Sequence, residues 1–221
     1  MRVLSRKATP GVSSRLSLRA ENLHLWRGER HVLRGLALEV AAGEVLQVTG
    51  ANGAGKTSLL RVLCGMLYLE DGRVIWSGRD VREDLPAFHA SLAYLGHEPP
   101  LKADLTAGEN LRYWVGLRRR VTGRQVAGAL ESVGAPGLDE RLVRTLSAGQ
   151  KRRVALAALV LFAAPLWLLD EPTTNLDAEG QKLVAQLVEQ HARAGGLAVA
   201  AVHHQISVNP QLVRRLELSA T

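Results

Sequence analysis

One cysteine, Cys64, is present in the 221 residues. A single thiol excludes an internal disulfide and suits a reducing compartment. It lies beside Leu63 and Met66 and reads as a small buried hydrophobe. Aromatic residues make up only 4% of the chain. They do not interleave with the basic residues, so the stacking pattern of a single-strand nucleic-acid binder is missing. No apolar run reaches the ~18 residues that a bilayer span needs. The longest stretch, Val154 to Leu169, is interrupted by Pro165; it reads as a buried helix followed by a buried strand. Residues 1–15 are basic, contain Pro10 and Gly11, lack the apolar stretch of a secretory signal, and read as a disordered tail. Acid is short as well: 21 Asp and Glu stand against 28 Lys and Arg, for a net charge of +7. That excess suits either a solvated basic surface or work against the anionic inner face of a membrane. No internal repeat is visible.

What is present is a large apolar fraction, 47%, enough for one domain or one domain with a small subdomain. Its organising stretch is GANGAGKT, from Gly50 to Thr57. This fits G-x-x-x-x-G-K-[ST], the loop that cradles phosphates in nucleoside triphosphatases. Val45 to Thr49 reads as a buried strand ahead of it, and Lys56 to Leu63 as a helix behind it. Gly50, Gly53 and Gly55 let the backbone curl, so that N–H groups across Ala51, Asn52 and Ala54 face one hollow at a helix N-terminus. Lys56 would reach the β- and γ-phosphates of a nucleotide, and the Thr57 hydroxyl would ligate Mg²⁺. The loop implies nucleotide binding without saying what the energy is for.

An antiparallel β segment is expected before that loop, from the alternation between Leu16 and Val40, with a turn at Gly28-Glu29. After the first helix, Asp71-Gly72 reads as a turn, Val74 to Trp76 as a short strand, and Leu92 to Leu95 as another. Gly96-His97-Glu98-Pro99-Pro100 cannot be helical. Thr106 with Glu109 forms a capping box, and helical patterns broken by turns at Gly123, Gly134 and Pro136-Gly137 continue to about Leu146. Ser147 then caps a helix running to Phe162. Leu166 to Glu171 reads as a buried parallel strand that delivers two carboxylates to its C-terminal end, where ligands bind in α/β folds. Asp170 is placed to hold Mg²⁺ through water, and Glu171 to orient or deprotonate an attacking water. Ala178 to Ala194 is an amphipathic helix, and Leu197 to Val202 a buried strand that delivers His203 and His204. The expected fold class is α/β: a phosphate-loop NTPase (RecA-like) core over 16–221, with an N-terminal antiparallel β segment and a helical subdomain inserted over about 98–160.

Three motifs now stand in order: GANGAGKT, LSAGQ at Leu146 to Gln150, and LLDEP at Leu168 to Pro172. Together they resemble the ATP-binding subunits of ABC transporters. The resemblance implies ATP and Mg²⁺ as cofactors, Asp170 as the metal-side aspartate and Glu171 as the catalytic carboxylate. It implies that Thr174 to Asp177 meets a second copy of the subunit, and that Ser147 and Gly149 bind the γ-phosphate of ATP held by that copy in a head-to-tail homodimer. The family's usual glutamine after the sixth strand falls on His97. For the histidine that reaches the γ-phosphate, the resemblance favours His204, followed by Gln205, over His203. Trp26 is open between stacking on adenine and packing as a half-buried side chain, since the family's stacking aromatic falls one residue later, at Arg27.

Longer segments resemble one branch more closely: the haem-exporter ATPases of bacterial cytochrome c maturation. They are Tyr94 to Trp114, Leu146 to Leu161, Ala164 to Pro172 and Glu189 to Val199. That branch carries histidine at the His97 position. The resemblance implies a peripheral protein on the cytoplasmic side of the inner membrane, partnered by an integral membrane permease and other cytochrome c maturation proteins, with no nucleic acid. An exporter ATPase for another cargo and a soluble ABC protein acting on ribosomes or DNA are the rival readings.

Overall fold

The computed structural model describes residues 16–219, so the tail expected over 1–15 lies outside the described residues. The chain begins with a hairpin, β1 (Ser17–Arg27) and β2 (Arg30–Ala41), followed by β3 (Val45–Gly50), helix α1 (Lys56–Leu63), β4 (Asp71–Trp76) and β5 (Arg79–Asp80). A short helix α2 (Leu85–Ala90) and strand β6 (Leu92–Leu95) lead to three helices: α3 (Ala107–Gly116), α4 (Gly123–Ser132) and α5 (Ala148–Phe162). Strand β7 (Leu166–Asp170), helix α6 (Ala178–Arg193), and strands β8 (Leu197–Ala201) and β9 (Val213–Leu218) follow.

Two sheets result. One is antiparallel, in the order β2-β1-β4-β5; the other is parallel, in the order β6-β7-β8-β3-β9. Every residue of β7 and of β8 is buried, as expected of a parallel sheet covered on both faces. The period-2 alternation of strand side chains decides what meets what. Trp167 and Leu169 join Ala198 and Ala200 in a core shared with Leu111, Leu130, Val154 and Val184 from α3 to α6. Leu166 and Leu168 join Val199 and Ala201 in a second core, with Leu59 and Leu63 of α1 and Leu18 and Val40 of the antiparallel sheet. Asp170 continues the Leu166–Leu168 series, so the same alternation turns its carboxylate toward α1.

The caps read from sequence are present: Thr106 with Glu109 on α3, and Ser147 with Gln150 on α5, each satisfying backbone donors reciprocally. Other expectations need correction. Gly123 is the first residue of α4, not a turn; Thr122 caps that helix with Gln125 as its capping-box partner. Asp71-Gly72 is the start of β4, not a turn: His24 pairs with Asp71 across an irregularity in β1. Gly72 has a φ of 98°, and a Cβ there would run into the carbonyl of Asn22. The glycine is there because two backbones pass too closely for a side chain. Helix α2 was not anticipated; Asp84 caps it by accepting from Ala87 N, with proline in its first turn.

Candidate active site

The phosphate loop follows β3 and is held from two sides. A Cβ on Gly50, at a φ of 142°, would collide with the carbonyl of Leu218 on β9. One on Gly55, at a φ of 101°, would stand 2.5 Å from Val32 Cγ1 on β2. Gly55 is the N-cap of α1 and offers no side-chain cap, so the first-turn N–H groups stay available to an anion. Ala54 is buried beneath the loop. Lys56 is only 7% exposed; its ammonium donates to Gly50 O at 2.7 Å and Ala51 O at 3.2 Å. Asn52, Gly53, Gly55, Lys56, Thr57 and Ser58 line a cleft of about 540 Å³, and Arg27, Arg30, Val32, His97, Glu171 and His203 form its other walls.

At its floor the Thr57 hydroxyl donates to Asp170 Oδ1 at 3.2 Å. Asp170 is buried, and its Oδ2 has no hydrogen-bond partner among the described residues. Burial pushes its pKa up, and the neighbouring Glu171 charge adds to that against the Thr57 hydrogen bond. A hydroxyl beside a carboxylate oxygen lacking a partner is a hard-oxygen donor set, which fits a divalent cation such as Mg²⁺.

Glu171 takes up a left-handed backbone conformation, with a φ of 49°. Its Oε1 lies 2.8 Å from His203 Nε2 and its Oε2 lies 3.4 Å from His97 Nδ1. Thr174 Oγ1 donates to Oε2 at 3.3 Å. One carboxylate is thus turned toward the cleft by two imidazoles and a hydroxyl.

Comparisons with known proteins identify the family. The family model described as "ABC transporter" matches residues 33–174. The chain belongs to the ABC transporter family. It is 46% identical over 201 residues to the cytochrome c biogenesis ATP-binding export protein CcmA of Methylococcus capsulatus, covering 90% of this chain and 97% of that protein. The CcmA protein of Yersinia pestis is 41% identical over 204 residues, covering 92% of this chain and 94% of that one. In fold it resembles the dimeric bacterial ABC transporter cassette MJ0796, with a TM-score of 0.81 at 22% identity over 91% of this chain and 94% of that chain. It also resembles a bacterial Atm1-family ABC exporter solved with ATP bound. There the TM-score is 0.76 at 27% identity, over 90% of this chain and 36% of that one.

As an ABC cassette the chain binds ATP, and its remaining candidate residues fall into two groups. His97 joins the cleft. Ser147 and Gly149 do not: they sit at the start of α5, outside the cleft lining. Gly149 passes so close to the segment after Glu171 that a Cβ on it would stand 2.9 Å from Asn175 O. At the end of β8 the side chain set against Glu171 is His203; both histidines are exposed, but the favoured His204 lies outside the cleft lining. Trp26, 45% exposed, stacks on His31 with centroids 4.3 Å apart and planes 9° from parallel. It lines a neighbouring hollow with Glu29, Arg30, His31 and Arg34, while Arg27 faces the phosphate cleft. Two contacts were not read from the sequence, although Thr174 was expected to meet a second copy. Thr174 touches Glu171 from its own turn, and Arg152, inside α5, reaches the backbone of both His97 and Glu171.

Proposed function

We propose that this chain is the ATP-hydrolysing subunit of an ABC exporter that serves cytochrome c biogenesis. It would work as a homodimer at the cytoplasmic face of the inner membrane, beneath an integral permease and beside other maturation proteins. ATP hydrolysis would be coupled to haem export or to release of haem from its periplasmic chaperone. The observation that carries the ATPase part is the Thr57–Asp170 pair with its unpartnered Oδ2, directly followed by Glu171 in the cleft that Lys56 enters. The CcmA relatives support the cytochrome c part.

In this reading the backbone N–H groups from Gly50 to Thr57 and the Lys56 ammonium hold the β- and γ-phosphates. Thr57 and Asp170 would hold Mg²⁺, which when bound neutralises phosphate charge. Glu171 accepts a proton from, or orients, the water that attacks the γ-phosphate. His203 holds Glu171 through its 2.8 Å contact, and His97 steadies the other oxygen. Ser147 and Gly149 meet the γ-phosphate on a second copy. The His204-Gln205 resemblance assigns the γ-phosphate contact to His204, whereas in this structure His203 is the histidine that lines the cleft. Comparing His203→Ala with His204→Ala separates the two roles: the first should lower kcat alone, the second ATP affinity as well.

The whole reading is tested in two steps. Purified protein should hydrolyse ATP only with a divalent cation. A strain lacking the gene should lose covalent haem from its c-type cytochromes and regain it with the wild-type copy. Full cytochrome c maturation without the gene would refute the assignment.

A further inference from the structure

Arg152 is charged, lies early in α5 and is 1% exposed. Each of its N–H groups donates to a main-chain carbonyl. Nε reaches Pro172 O at 3.2 Å. Nη1 reaches Gly96 O at 2.8 Å and His97 O at 3.2 Å. Nη2 reaches Asp170 O at 2.8 Å and Glu171 O at 2.6 Å. A guanidinium has no further donor to offer, and no other side chain carries that fork. Burial draws its pKa down to about 10, while the charges of Asp170 and Glu171 push it back up, so it stays a cation at neutral pH.

The carbonyls it gathers are not a random set. Two open the segment after β6 that carries His97; three run from the last residue of β7 into the turn that carries Glu171. Glu171 sits in a left-handed conformation that an L residue holds only when its surroundings impose it. The Nη2 pair fixes the peptide on either side of that residue. On the same helix, just ahead of Arg152, stand the Ser147 cap and Gly149, the latter closely packed against Asn175 O.

We propose that Arg152 is a positioning residue that joins the N-terminal end of α5 to the carboxylate of Glu171. It locks the main chain of His97 and Glu171 to the helix that presents Ser147, so the two move as one body. This rests on the proposed ATPase function and adds a direction to it. A nucleotide met by Ser147 on one side of the subunit sets the geometry of Glu171 on the other. Occupancy of one site is thereby read at the second without any change in the residues that bind phosphate.

The test uses the full chain with Arg152→Lys and Arg152→Gln, which keep a donor but not the fork. Binding of MANT-ATP with Mg²⁺ should stay within about threefold of wild type, since phosphate contacts are untouched. Maximal turnover should fall about 100-fold, the scale of a displaced catalytic group. Ser147→Ala made in the Arg152→Lys background should lower turnover by a smaller factor than it does in the wild-type background, because the path from Ser147 to Glu171 is already cut and only its own phosphate contact is left to lose. Multiplicative losses in that double variant, unchanged turnover in the single ones, or equal loss of binding and turnover would each overturn the proposal. Should neither variant melt cooperatively, hydrogen exchange on the wild-type chain decides. MgATP must then change protection of 96–97, 147–152 and 170–172 together, and a change at 170–172 without one at 147–152 overturns it. Failure of the function itself looks different: wild-type protein would show no divalent-dependent ATPase at all.

Discussion

Lys56 and Asp170 are charged residues that are nonetheless buried, and each has a ligand-shaped reason. Lys56 bends back onto the carbonyls of Gly50 and Ala51, a place that triphosphate oxygens would take over. Lys56→Ala should therefore reduce turnover by about 10²- to 10³-fold, read by phosphate release. Asp170→Asn keeps an oxygen for Thr57 but removes the charge that a cation needs. It should raise the Mg²⁺ concentration for half-activation by about 10-fold or more, measured by Mg²⁺ titration of the ATPase. These residues were legible because each belongs to a contiguous motif whose strand–turn–helix setting is itself local. His203 was harder to read than its neighbour. Which of two adjacent histidines meets Glu171 depends on how the backbone leaves β8 after Val202, and no residue pattern encodes that direction. Arg152 was illegible for a different reason: its partners come from two distant turns that meet only in the folded chain.

At the scale of elements, helix α6 shows how packing sets acid sensitivity. His191 stacks on Trp167 of β7, with ring centroids 4.0 Å apart and planes 7° from parallel, and hydrogen-bonds Leu197 O. Burial pushes its pKa below the ordinary 6.5, against the backbone hydrogen bonds that raise it. The unfolded chain therefore takes up the proton first as pH falls. Stability present above about pH 6.5 is lost as pH drops through that value toward the lower folded pKa. His191→Phe keeps a flat ring against Trp167 and removes the titrating group. Urea unfolding at about pH 7.5 and about pH 5.5 should show a smaller loss of stability for this variant than for wild type. The buried strands β3, β7 and β8 were readable as short apolar runs bounded by turn residues. Gly72 misled because a glycine demanded by close backbone approach looks, in sequence, like one demanded by a turn. Helix α2 was missed because it is too short to show a period.

The whole molecule presents two surfaces that the proposed reaction must bring together: the cleft of one subunit and the exposed start of α5 on another. Glu171→Gln leaves Lys56, Thr57 and Asp170 in place to hold nucleotide. With MgATP it should accumulate as a dimer by light scattering while turning over slowly. A variant that stays monomeric under saturating MgATP would refute the two-subunit site. The sheet order carries one more implication. Strand β3, which launches the phosphate loop, is flanked on one side by β9, and Gly50 pairs with Leu218. During synthesis the phosphate loop must wait, incomplete, until Val213 to Leu218 have left the ribosome. A polypeptide halted before Val213 would carry all three sequence motifs and still leave the loop without its outer wall.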